Sequence, residues 1–166
     1  MEFPEKIELN PIGVVHTEAS DERIKSETEM KMIKGVVEMF PEYEDALKGL
    51  DGYSHLFIIS HLHKLRSEQI GPLQVKPKRA TRRGFKIKEI PLLGVLALDS
   101  PTRPNPLGLT LVRFLRRDHR KIFVSGLDLF DGTPVVDLKP YQSDYRTGQF
   151  DVPSWYQKLM DKTGHL

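Results

Sequence analysis

Short runs of β-branched and aliphatic residues recur along the chain, at 8–16, 35–40, 55–64, 93–98, 109–115, 121–129 and 135–138. Each is set off by Gly, Pro, Asp or Ser, the residues that interrupt strands. Seven short strands with little helix between them favour an antiparallel barrel or sandwich over a parallel βαβ fold. Asp118-His119-Arg120-Lys121 reads as a hairpin loop, and Asp131-Gly132 as a tight turn between two strands. Two helices are expected beside the strands. One opens at Pro41, with Tyr43, Ala46, Leu47 and Leu50 at helical spacing. The other covers 151–162, with Asp151 as cap, Pro153 as first residue, and Val152, Trp155, Tyr156 and Leu159 on one face. The segment 19–34 is polar, dense in charge and without a period. No repeat or linker divides the chain, so its 166 residues read as one domain with one core.

Composition narrows the setting. There is no cysteine, which removes disulfides, thiolate nucleophiles and Cys-based zinc sites. No apolar run reaches the roughly 20 residues of a membrane span, and the N-terminus lacks a signal-peptide pattern, so a cytoplasmic protein is expected. The net charge of +2 hides an asymmetry. Lys76, Lys78, Arg79, Arg82, Arg83, Lys86 and Lys88 fall in one stretch without an acid, and removing those seven leaves 18 bases against 23 acids, a net −5. A smaller basic cluster follows at Arg113, Arg116, Arg117, Arg120 and Lys121. Such segregation is the electrostatic footprint of a phosphate-rich partner.

Three constellations can carry chemistry. Ser100-Pro-Thr-Arg-Pro-Asn-Pro-Leu-Gly108 holds three prolines that fix φ and push the residues before them into extended backbone. Arg103 and Asn105 are thereby presented in set directions, Arg to grip a carboxylate or phosphate and Asn to donate and accept. In Leu127–Tyr141, Asp137 and Lys139 stand two apart on one strand face, as a surface pair or a recognition pair. In His55–Lys64 the alternate residues His55, Phe57, Ile59, His61 and His63 share a face. His61 and His63 have a spacing that zinc ligands use, but His55 lies about 20 Å along the strand, so no metal site is expected. His63, beside Lys64, reads instead as a pocket residue. Gly-rich dinucleotide loops, P-loops, nucleophile elbows and HExxH are all missing from the sequence.

Four segments together resemble the TsaA-like (YaeB-like) family: Pro11-Ile-Gly-Val-Val15, Gly49-Leu-Asp-Gly-Tyr-Ser-His-Leu56, Arg103-Pro-Asn-Pro-Leu-Gly108 and Asp131-Gly-Thr-Pro-Val-Val-Asp-Leu-Lys-Pro-Tyr141. The likeness runs over about 10–141. It implies a single antiparallel β-barrel of six or seven strands with one or two flanking helices. The activity it implies is N6-methylation of threonylcarbamoyladenosine 37 of tRNA by a homodimer, using S-adenosylmethionine (SAM). Cofactor contacts are implied at His63, Lys64, Asp99, Leu107, Asp128, Leu129, Phe130 and Asp131. Asp131 or Asp137 would receive a proton, Arg103 and Asn105 would orient the reactants, and Lys76, Lys78, Arg79, Arg82, Arg83 and Lys86 would hold RNA. Two departures stand out: 21–27 reads Asp-Glu-Arg-Ile-Lys-Ser-Glu where the family usually has a Pro-Arg-Gln stretch, and Asp99 stands where a cation is usual. A SAM-binding or RNA-binding module on the same barrel, without methyl transfer, is the alternative these departures leave open.

Overall fold

The computed structural model describes residues 6–25, 32–77, 79–82 and 84–161, the side chains of Arg79, Arg82, Leu159 and Met160 excepted. Six strands close into an antiparallel barrel: β1 (Gly13–His16), β2 (Lys34–Met39), β3 (His55–His61), β6 (Leu107–Asp118), β7 (Lys121–Ser125) and β8 (Pro134–Pro140). Their order around the barrel is β1-β2-β7-β6-β3-β8. The strands alternate as the period of two requires. Leu56, Ile58 and Ser60 of β3 point inward, joined by Val15, Val37, Met39, Val112, Ile122, Val124 and Val135 from the other five strands. So narrow a barrel is filled by its own side chains, each contributing about 1.5–3 kcal/mol through burial. Gly13 is demanded by the close pairing of β1 with β2, because a Cβ there would stand 2.6 Å from the Glu38 carbonyl oxygen.

The expected barrel is present, and several boundaries move for local reasons. The run 121–129 ends as a strand at Ser125, since Gly126 takes φ +82° and turns the chain. The run 93–98 is not a strand throughout. Only Leu93–Gly94 pairs, as β5, with β4 (Gln74–Val75). Val95–Ala97 then curls into a 3-10 turn, with the Leu98 amide donating to the Val95 carbonyl. At Pro41–Leu47 the helix is 3-10, because the Tyr43 amide bonds to Phe40 only three residues back. Within 19–34, Ser20 caps a one-turn helix α1 (Asp21–Ile24) by accepting from the Arg23 amide. The chain's last helix begins at Ser154 as α3 (Ser154–Asp161), the amides of Tyr156 and Gln157 both donating to the Pro153 carbonyl.

The chain divides into two compact units, one of residues 1–63 with 107–143, the other of 64–106 with 144–166. The first contains the barrel. In the second lie the β4–β5 ribbon, a short helix α2 (Arg79–Arg82) and α3.

The smaller basic cluster is largely consumed inside the barrel unit rather than left for a phosphate partner. Arg120 bonds the Met39 carbonyl and pairs with Glu38, and Arg116 lies 3.5 Å over the Phe123 ring. Arg117 grips the Asp51 carboxylate through Nε and Nη2 and also reaches the His119 carbonyl at the β6–β7 hairpin, where His119 takes φ 48°. The Arg117 hydrogen bond holds the Asp51 carboxyl below its ordinary value of 3.8. A carboxyl lowered on folding stabilises the folded state above its unfolded pKa and loses that contribution as pH falls through the folded value. Asp51→Asn is therefore expected to unfold at lower denaturant than the parent at pH 7. That gap should close on acidification below 3.8. Parallel urea titrations at neutral and acid pH measure both.

Candidate functional site

After β7 the chain bends at Gly126, runs without regular structure from Leu127 to Phe130 and turns at Asp131-Gly132. Leu127 and Leu129 are buried and act as anchors, which turns Asp128 and Asp131 outward and leaves Phe130 half-buried. A tight turn follows. Both the amide and the hydroxyl of Thr133 donate to the Phe130 carbonyl, at 3.2 and 2.7 Å, and Gly132 takes φ +77°. Two backbone bonds pin this turn to β1: the Gly132 amide donates to Val15 and the Val15 amide to Thr133. Side chains complete the anchoring. Asp131 Oδ1 accepts from the Thr17 amide at 3.0 Å, and the Thr110 hydroxyl, buried on β6, donates to Asp128 Oδ1. Lys25 lies 5.3 Å over the Phe130 ring. His63 comes up beside the turn, its Nε2 3.9 Å from where a Cβ of residue 132 would be.

Next to Asp131 opens a cleft of about 730 Å³, bordered by His16, Thr17, Arg23, Lys34 and Phe123 among others. His16 sits between carboxylates, 3.3 Å from Glu38 and 4.0 Å from Asp131. The volume lies within the about 300–1,000 Å³ of small-molecule sites. Two carboxylates (Glu18, Asp131), two cations (Arg23, Lys34), an imidazole and an aromatic ring line the open cleft, a mixed surface that can hold a polar, ring-bearing ligand.

The residues singled out in the sequence divide between the two units. His63, Leu107, Asp128, Leu129, Phe130, Asp131 and Asp137 belong to the barrel unit; Lys64, Asp99, Arg103 and Asn105 belong to the other. Within the barrel unit the structure brings His63 to the 128–132 turn. Asp137 pairs with Lys139 at 3.1 Å, both about half exposed, and accepts its own Leu138 amide. Arg103 spends Nη1 on the carbonyls of Ser100 and Leu98, stapling its own proline-rich loop. Lys76 reaches the Ile87 carbonyl, and Lys86 and Lys88 are exposed. Lys78 and Arg83 lie outside the described residues, as do the side chains of Arg79 and Arg82. His55, Phe57, Ile59 and His61 share the outer face of β3. Among the described residues no group of three His, Asp or Glu is placed to hold a metal. Sequence reading passed over His16, Thr17 and Thr110. Each meets its partner across the fold, Thr17 and Asp131 being 114 residues apart, and nothing local marks it.

Fold and site define a closed six-stranded antiparallel barrel with an acidic turn beside an open cleft. The chain belongs to the tRNA-methyltransferase O N-terminal domain family, whose model matches residues 14–146. It is 32% identical over 98% of its length to a probable S-adenosyl-L-methionine-binding protein of Pyrococcus abyssi, of which it covers 83%. To the tRNA (adenine(37)-N6)-methyltransferase of Mus musculus it is 38% identical over 67% of its length, spanning only 24% of that protein. A crystal structure of TrmO superposes with a TM-score of 0.66 at 27% identity, covering 88% of this chain and 63% of that one.

The turn lets two roles of Asp131 be separated. Asp131→Ala removes the acceptor of the Thr17 amide and should cost about 1 kcal/mol. Asp131→Asn keeps an oxygen there and should unfold close to the parent. Thermal denaturation of the two variants checks this.

Proposed function

We propose that this protein transfers the methyl group of SAM to N6 of adenine 37 of tRNA, the adenosine carrying a threonylcarbamoyl group. The observation that carries the reading is the pinned 128–132 turn, with His63 at its side and Asp131 bordering an open cleft, in a chain of this family. The residues suit SAM, a sulfonium cation joined to an adenosine. Asp131 supplies negative charge at the cleft, and glycine at 132 allows the φ of +77° that the turn beside His63 requires. SAM, when bound, supplies an electrophilic methyl group; the new C–N bond forms as the S–C bond breaks and the nitrogen gives up a proton.

The chain's own part is alignment, exclusion of water and proton acceptance. His63, Leu107, Asp128, Phe130 and Asp131 hold the cofactor, and buried Leu129 fixes the segment that carries them. Lys64 and Asp99 keep the cofactor contacts that the family resemblance implies, and Arg103 and Asn105 orient the reactants. Asp131 or Asp137 takes the proton. Lys76, Lys78, Arg79, Arg82, Arg83 and Lys86 grip the RNA backbone. The reading extends to a cytoplasmic homodimer. Zero cysteines and an RNA substrate support the location, and among the described residues no helix is long and apolar enough to cross a membrane. Leu109, Leu111 and Leu115, exposed on the outer face of β6, support self-association.

Methyl-labelled SAM incubated with tRNA and purified protein is expected to yield N6-methylated adenosine at position 37, and none when that position is changed to guanosine. SAM binding without transfer would identify a binding module on the same barrel; no SAM binding would overturn the reading. Lys86→Ala with Lys88→Ala is expected to flatten the log–log salt dependence of tRNA affinity by about 1.5, at about 0.7–0.9 per phosphate contact, with SAM affinity unchanged. Filter binding across a salt series reads the slope.

A further inference from the structure

Thr110 lies on β6 with its side chain directed into the barrel, 5% exposed, at the register position facing Ile58. A hydroxyl in so apolar an interior is costly unless bonded. Its bond is to Asp128 Oδ1, across 18 residues of sequence, and Asp128 itself is exposed. One end of this contact is therefore locked in the core while the other reaches solvent beside the site. A bond from a hydroxyl to a carboxylate is among the stronger hydrogen bonds, and a donor fixed by strand packing sets the direction of the carboxylate it holds. Asp128 sits between buried Leu127 and Leu129, so the segment is anchored on both sides of it and its side chain is held from the barrel wall by Thr110.

We infer that Thr110 is a positioning residue for cofactor binding: its hydroxyl holds the Asp128 carboxylate in the one orientation that receives SAM. The inference rests on the reading of this turn as the SAM site. Ligand affinity is then set partly by a buried side chain that need not touch the ligand. Preorganisation of this kind raises affinity by removing the entropy of ordering the acceptor at the moment of binding. Thr110→Val keeps the shape of the side chain and removes the donor, whereas Thr110→Ser keeps the donor and removes a methyl group.

The test is calorimetric SAM titration of the parent, T110V, T110S, D128N and the T110V/D128N double variant, with circular dichroism melts and the carbonyl-region 13C resonance of Asp128 recorded for the parent and both Thr110 variants. T110V is expected to bind SAM about tenfold more weakly, T110S within about twofold of the parent, and the double variant no more weakly than D128N, because both changes break one link. T110S binding as poorly as T110V, or the two losses adding in the double variant, would overturn the inference. The 13C signal separates the two readings. If the parent binds no SAM, the cofactor reading fails by itself, whereas an Asp128 resonance unmoved in folded T110V refutes the positioning contact whether or not SAM binds.

Discussion

Strands β1 and β8 pair over only two residues, Gly13 with Val135 and Val14 with Pro134, and this short seam closes the barrel. Pro134 has no amide hydrogen to give, so the junction draws on its neighbours: Ile12 donates to Val135, Val15 to Thr133 and Gly132 to Val15. On the other side of β1, Gly13 permits its close approach to β2, the Glu38 carbonyl standing where a side chain would go. The same bonds that shut the sheet also hold the Asp131–Gly132 turn. Closure and site geometry are therefore one constraint, and the turn is as rigid as the barrel it completes.

Around that seam the fold sorts its polar groups by depth. Buried threonines are bonded to segments nearer the surface: Thr110 to Asp128, and Thr133 to the Phe130 carbonyl. Ser60 differs, since its hydroxyl is buried with no bond among the described residues. It sits against Gly108, where a Cβ would come within 2.7 Å of the hydroxyl oxygen, which explains the glycine that ends the Arg103–Gly108 motif. On the outside, charge is arranged in a chain: Arg120 to Glu38, Glu38 to His16, and His16 towards Asp131. Exposed pairs of this kind add little stability individually.

The division of the chain assigns its basic residues two fates. In the barrel unit, Arg116, Arg117 and Arg120 are taken up by an aromatic ring, an aspartate and a glutamate. The stretch 76–88 belongs to the other unit and has no acid of its own sequence to neutralise it. Clustering in sequence is thus a poor guide to the charge left for a partner, because strand pairing brings distant acids to some arginines and not to others.

Much of the architecture was legible in the chain. Alternation within 55–64, the apolar run 109–115, the Asp-Gly turn and the Asp118–Lys121 hairpin loop are local signals, and each fell at or near the element it encodes. The loop proved two residues shorter, because β6 runs to Asp118 and β7 starts at Lys121. Of the family motifs, only 131–141 contains one of these turns; 11–15 and 103–108 lie elsewhere in the chain. Other features were not legible: that 93–98 curls after two residues, that the face of His55 and His61 turns outward, and that the cations at 116–120 are satisfied internally. The contacts that shape the turn, from Thr17 to Asp131, Thr110 to Asp128 and His63 beside Gly132, were equally hidden. The sequence by itself determined where most strands and turns fall, because strand period and turn chemistry act over a few residues. Only closure of the barrel decided which side chains from remote strands meet, since that choice depends on register around six strands and on no neighbour along the chain.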